Sequence, residues 1–391
     1  MKIPITKPFF GQEDFEAVQE PLSTGWVVQG PKVKGFEEAV STFTKAGYAR
    51  ATTSCTTALH LSLIAAGVGP GDEVILPAFT FIASANVIEY VGAKTVFVDI
   101  DLETFNMDVS KIEGAITNRT KAIMPVHLFG LCADMGPIMD VAARYRLQVI
   151  EDAACAIGSY YKGNHAGTIG TAGCLSFHPR KSITTGEGGM VLTNDSRIDH
   201  RVTILRDHGA EVSDLARHEG KGLLLPEYNV LGYNYRMTDL QGALGISQLS
   251  KLPYILEQKK RLASRYGESL TALAWLRIPH IPEGYVHGYQ AYVCLFEPEF
   301  LNDIGPDRLE RLRTRRDLLM QKLNQVGIST RQGTHAVHSL GYYREKYKLD
   351  PWDFPNAWVA EHLSIALPLY PQMKDEEQAF VEEMLKRGPD E

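Results

Sequence analysis

Polar and apolar positions fall into blocks that switch between two periods along the chain. Short runs apolar on both faces, at 73–76, 95–100, 121–126, 147–150, 171–177 and 190–193, predict buried strands. Between them, helices are predicted over 58–66 and 83–90, and a third opens at Gly136-Pro137 and carries Ile138, Val141, Ala142 and Tyr145. Gly67 stops the first of these. Strands that alternate with helices and are apolar on both faces argue for a mostly parallel sheet covered by helices. Such sheets bind ligands beyond the C-terminal ends of their strands, where Phe81, His127 and Asp152 fall.

The flanks read differently. The first forty residues are turn-rich, with a glycine-bounded loop at 25–31 that carries Trp26. After Arg206-Asp207-His208-Gly209 a polar stretch running to Tyr228 is the segment expected to be flexible. Thr238 to Gln241 fits a capping box, and Met237, Leu240, Leu244 and Leu249 follow on one face of a helix. From about Leu252 the character changes to a charged helix (255–272), strands near 292–296 and 328–331, and a helix between them stopped by Gly327. This divides the chain into a large domain, 1–251, and a small C-terminal domain, 252–391.

Composition narrows the class. With 391 residues the chain can bury a large core, and 44% apolar with 22% charged residues is ordinary for a globular protein. A net charge of −7 argues against a nucleic-acid surface. No apolar run is long enough to span a bilayer, and the start, MKIPITKPFF, has no signal-type core. The five cysteines are scattered without metal-ligand spacing, so reduced thiols, a cytoplasmic location and no metal site are expected.

Candidate chemistry centres on residues 176–189, SFHPRKSITTGEGG, where a strand feeds a polar turn with one lysine, Lys181. A lysine fixed between buried strands becomes a carbonyl nucleophile when desolvation or a nearby cation lowers its pKa. Upstream, Asp152 stands at a strand end followed by two alanines, room enough for a flat ligand. It reads either as a cap or as a carboxylate that keeps a pyridinium nitrogen protonated. The hydroxyl cluster Thr52-Thr53-Ser54-Cys55-Thr56-Thr57 precedes a helix, where it reads either as a cap or as an anion cradle.

Lysine, carboxylate and hydroxyl cluster together resemble the DegT/DnrJ/EryC1/StrS family of pyridoxal 5'-phosphate (PLP)-dependent sugar aminotransferases, over roughly Ile3 to Met373. The resemblance implies a fold-type I, aspartate aminotransferase-like α/β architecture, with a large mostly parallel sheet domain and a smaller α+β domain. It implies Lys181 as the Schiff-base lysine and proton shuttle, and Asp152 on the pyridine nitrogen. Thr56, Thr57 and Ser176 would hold the phosphate, Phe81 would stack on the ring, and Cys155 would pack beside it. The segment Gly232-Tyr233-Asn234-Tyr235-Arg236-Met237 resembles the family's GxNYRM motif, whose asparagine, here Asn234, reaches a neighbouring subunit's phosphate; a homodimer with shared sites follows. The Trp26 loop, residues 334–338 and Tyr342-Tyr343 lie where the family lines its site.

Three positions depart from the family. Cys55 replaces a common glycine, Cys155 a glutamine or histidine, and Leu131 a polar residue, which alters the pocket walls without removing a catalytic part. The implied reaction moves an amino group from glutamate or glutamine to a keto-sugar, nucleotide-linked or free, in surface-polysaccharide, lipopolysaccharide or aminosugar biosynthesis. Sugar dehydration, amination of an inositol ketone and a non-catalytic PLP-binding regulator are the alternatives.

Overall fold

The protein is described by a computed structural model covering residues 2–211, 227–298 and 304–389, so most of the polar stretch before Tyr228 lies outside the described residues. Helices α1 (Gln12–Thr24) and α2 (Pro31–Thr44) lead into strand β1 (Tyr48–Thr52) and helix α3 (Cys55–Ala65). Then come β2 (Glu73–Pro77), β3 (Phe79–Thr80), α4 (Ile82–Tyr90), β4 (Lys94–Val98), β5 (Thr120–Ile123), α5 (Met135–Tyr145) and β6 (Gln148–Asp152). The strands β7 (Ala172–Ser176) and β8 (Gly189–Thr193) flank the lysine turn, followed by α6 (Ser196–Leu205) and α7 (Asp239–Leu270).

Among the described residues, seven strands form the central sheet in the order β1–β8–β7–β6–β5–β2–β4. The run from β7 to β4 pairs in parallel, and β8 alone runs against both its neighbours. β2, β7 and β8 are buried along their whole length, as their apolar runs require, with helices packed on both faces. This is the expected fold-type I arrangement.

Three local expectations are corrected. The N-terminal forty residues hold two helices, with turns only at their boundaries. Gly25 takes the left-handed C-cap of α1 and Gly30-Pro31 opens α2, so the expected glycine-bounded loop is present, set between two helices that the turn-rich reading did not include. The helices expected on either side of Leu252 are one, α7, which runs through Pro253. A proline inside a helix costs about 3 kcal/mol, and burial of Leu249, Leu252, Ile255, Leu262, Tyr266 and Leu270 along one side offsets it. Residues 328–331 make single bridges, Ile3 to Ile328 and Arg331 to Ala366, in place of a strand.

The C-terminal part builds an antiparallel sheet from β9 (Leu276–Arg277), β10 (Tyr292–Phe296) and β12 (Ser364–Leu367), with α8 (Pro306–Gln325) as its long helix. Strand β11 (His335–Ala336) stands outside this sheet and pairs with β3 in a separate two-stranded sheet.

One polar contact ties the ends of the large domain together. Asp239, the first residue of α7, accepts backbone N–H bonds from Gly30 (2.7 Å), Lys32 (3.1 Å) and Val33 (3.0 Å). It thereby caps α2 from another helix, satisfying N–H groups that Gly30 has no side chain to reach. Asp239→Ala is expected to destabilise the chain by about 2–4 kcal/mol, because buried donors lose their acceptor; urea unfolding of the purified variant measures it.

Candidate active site

Two consecutive carboxylates at the end of β6 point to opposite faces of the sheet, as strand geometry demands. Glu151 is saturated: its oxygens accept from the Nε2 of His127 (2.8 Å) and from the N–H groups of Gly167 (2.8 Å), Ile169 (2.8 Å) and Gly170 (2.6 Å). Burial works against its charge, but these hydrogen bonds outweigh it and hold the carboxyl below its usual range. His127 is fully buried and its Nδ1 accepts from the Ala133 N–H (3.0 Å), which places its proton on Nε2. The histidine at this strand end is therefore part of the scaffold.

Asp152 keeps spare capacity. The Ser84 hydroxyl donates to its Oδ2 at 2.7 Å and the Ala154 N–H to its Oδ1 at 3.1 Å. Register places Asp152 beside Cys174 of β7, so the ends of β6 and β7 lie together, and Ser176 ends β7 on the same side. The turn after Ser176 brings Lys181 back over β6, where its Nζ donates to Cys155 Sγ at 3.1 Å. Burial pushes this amine down, but Cys155, Cys55 and Asp152 more than compensate and hold it above the ordinary lysine range. The depression expected for a free nucleophile is thus absent in the chain by itself: the hydrogen bond to Cys155 and the thiol and carboxyl groups around the amine outweigh desolvation.

The bend after the lysine is shaped by its glycines. Gly186 has a φ of 81°, and a Cβ on Gly189 would fall 2.3 Å from the Ser54 carbonyl, so only glycine lets β8 approach the start of α3. There Ser54 is the N-cap and accepts from the Thr57 N–H (3.2 Å), while the Thr57 hydroxyl bonds back to the Ser54 N–H (3.0 Å). The helix begins three residues earlier than the apolar pattern predicts, which puts Thr56 and Thr57 in its first turn. Thr57 serves the cap; the Thr56 hydroxyl makes no hydrogen bond among the described residues.

Other expected site residues lie around this centre. Phe81, the N-cap of α4, leaves its ring 62% exposed. Asn234 is exposed on a segment whose Tyr235 carbonyl accepts from the Thr53 N–H (3.0 Å), next to the same helix start. Trp26 is half-buried in the loop before α2. Pairing of β11 with β3 brings Thr334 onto the Thr80 carbonyl (3.0 Å) and His335 opposite Thr80, one residue from Phe81. His338 and Tyr343 instead belong to the core, bonded to the Pro351 carbonyl and to Asn86. Two polar residues escaped the sequence reading: Ser84, hidden in an apolar helix, and Lys259, hidden in a charged one.

This donor set fits PLP. It offers an amine for the aldehyde, a carboxylate with an unfilled lone pair for the ring nitrogen, and a helix start with spare N–H and hydroxyl donors for the phosphate. Residues 8–386 match the DegT/DnrJ/EryC1/StrS aminotransferase family. The chain belongs to that family. It is a PLP-dependent aminotransferase acting in sugar metabolism. Among its relatives, the uncharacterized protein MJ1066 of Methanocaldococcus jannaschii is 39% identical, covering 98% of this chain and 97% of its own. SpsC of Bacillus subtilis, a spore coat polysaccharide biosynthesis protein, is 37% identical over 96% of this chain and 94% of its own. The PLP form of Spr1654 from Streptococcus pneumoniae superposes with a TM-score of 0.89 at 30% identity, covering 100% of this chain and 99% of that one.

The contrast between the two carboxylates is testable. Glu151→Gln should cost about 2–4 kcal/mol at pH 7, since an amide nitrogen would face donors that now meet a carboxylate. The folded pKa of Glu151 is depressed, so its contribution is fully present above the ordinary glutamate value of 4.5 and lost as pH falls below it. Unfolding measured from pH 7 to pH 3 should show the wild-type advantage shrinking in that window.

Proposed function

We propose that this aminotransferase moves an amino group from glutamate or glutamine to a keto-sugar, in the assembly of a surface polysaccharide in the cytoplasm. The observation that carries it is the convergence of Lys181, Cys155 and Asp152 at the shared end of β6 and β7. The likeness to SpsC supports the polysaccharide setting, and the free state of all five cysteines agrees with a reducing compartment.

PLP, when bound, supplies the carbonyl that takes up the amino group and the ring that withdraws electrons. Lys181 would hold it, and its Nζ is the group placed to move the proton at the donor's α-carbon. Asp152 would hold the ring nitrogen, and Ser84 and the Ala154 N–H keep its plane fixed. Thr56, Thr57 and Ser176 hold the phosphate at the start of α3, where the helix dipole favours negative charge. Phe81 covers one face of the ring and Cys155 packs beside it. Asn234 extends from this chain to the phosphate held by a second copy, so the working unit is a homodimer. The small domain, from residue 252 along α7, contributes β11 to the mouth.

Two measurements test the reading. Lys181→Ala should fold normally, by circular dichroism, and lose turnover to below detection; more than trace activity would end the assignment. A visible absorbance band of the purified chain with PLP should bleach on adding one donor, glutamate or glutamine, and return with the accepting keto-sugar.

A further inference from the structure

A second lysine is buried behind the first. Lys259, on α7, is 2% exposed, and its Nζ donates to the hydroxyl of Ser182, the residue after Lys181, at 3.3 Å. Ser182 is itself buried. Among the described residues no carboxylate pairs with Lys259; the groups whose charge bears on it are Cys155 and Lys181. An ammonium held this way is costly, because neither water nor a counter-charge compensates it. A methionine or leucine would fill the same place on the buried side of α7 without that cost. The position of the charge, one residue from the active-site turn, is the feature that distinguishes it.

We infer that Lys259 is a positioning residue for the reaction: the like-charged neighbour that raises the share of neutral Lys181 amine at working pH. A cation beside a catalytic lysine is one of the ways such an amine is activated, and it is the only one of the two expected ways left once the thiol and carboxyl neighbours of Lys181 have offset its desolvation. The inference rests on Lys181 being the reactive amine proposed above.

Electrostatics agree with the geometry. Burial first, with the charge of Lys181 adding to it against Cys155, pushes Lys259 down to about 8. Lys181 is held up by Cys155, Cys55 and Asp152 against its own burial. His287, the other titratable group near Lys259, is driven down to about 3 by burial and by Lys259's charge, so it is neutral and offers no counter-charge. The charge of Lys181 bears on Lys259, and by reciprocity the charge of Lys259 bears on Lys181. Below about pH 8 Lys259 is charged and each ammonium makes the other's neutral form more accessible. Above it Lys259 is mostly neutral and the effect on Lys181 fades.

Carbamylation of Lys181 by cyanate in the full chain stripped of PLP, followed by peptide mass spectrometry from pH 7 to pH 10, tests this without using turnover. In Lys259→Met the rate at pH 7 should fall about threefold or more, a half-unit rise in the effective pKa, and approach the wild-type rate above pH 9. In Lys259→Arg, whose charge is permanent, the rate should match wild type at pH 7 and exceed it above pH 9. In the PLP-loaded chain, the acid limb of kcat against pH should move upward in Lys259→Met and not in Lys259→Arg. A wild-type cyanate rate at pH 7 in folded Lys259→Met overturns the inference. So does a Lys259→Arg rate no higher than wild type above pH 9, which decides the matter if the methionine variant does not fold. Failure of the underlying assignment would show separately, as retained turnover in Lys181→Ala.

Discussion

The parallel pairing of β6 with β7 is the constraint on which the site depends. It sets Asp152 beside Cys174 and ends both strands on one side of the sheet, so an acid and a lysine far apart in sequence meet over the same strand ends. Neither strand is free to slip. A shift of one residue would exchange the faces of Glu151 and Asp152, leaving the four donors around Glu151 without an acceptor. The structural carboxylate thus fixes the register that presents Asp152, the carboxylate proposed for the ring nitrogen.

Around that register the protein assembles charges of both signs. Cys155 and Asp152 stabilise the Lys181 ammonium and so keep the amine where it is needed, but unopposed they would also keep it protonated and inert. Lys259 opposes them from behind, through a helix whose N-terminal residue also caps α2. The same 32-residue helix therefore anchors the N-terminal loop at one end and bears on the active-site turn in its middle. Its continuity through Pro253 makes sense in this light, since a break there would free the two functions from one another.

Much of this was legible in the sequence where the physics is local. Buried parallel strands write themselves as apolar runs, and each expected strand of the large sheet is present with its ends shifted by a few residues. The capping box at Thr238 and Gln241 was legible for the same reason. What was missed depends on partners distant in sequence. The helices α1 and α2 carry few apolar residues, and their stability comes from packing on α7 and from Asp239. His127 stood at the right strand end but is tied to Glu151, which no spacing announces. Ser84 and Lys259 each sit on the buried side of a helix whose neighbours gave a stronger signal, apolar in one case and charged in the other.

The pairing of β11 with β3 explains how one chemistry can serve different sugars. The amine, the carboxylate and the hydroxyls proposed to hold the phosphate all belong to the central sheet, the turn after it and α3, where packing is dense. The elements beside it carry no such burden: the exposed Phe81 and the stretch around Thr334 and His335. Thr334 and His335 are delivered by the C-terminal part through a two-residue strand pair. Their side chains can change without disturbing the β6–β7 register, because the backbone bonds that place them do not depend on side-chain identity. Under the proposed function, selection of the sugar and retention of the amino-transfer chemistry fall to different parts of the fold.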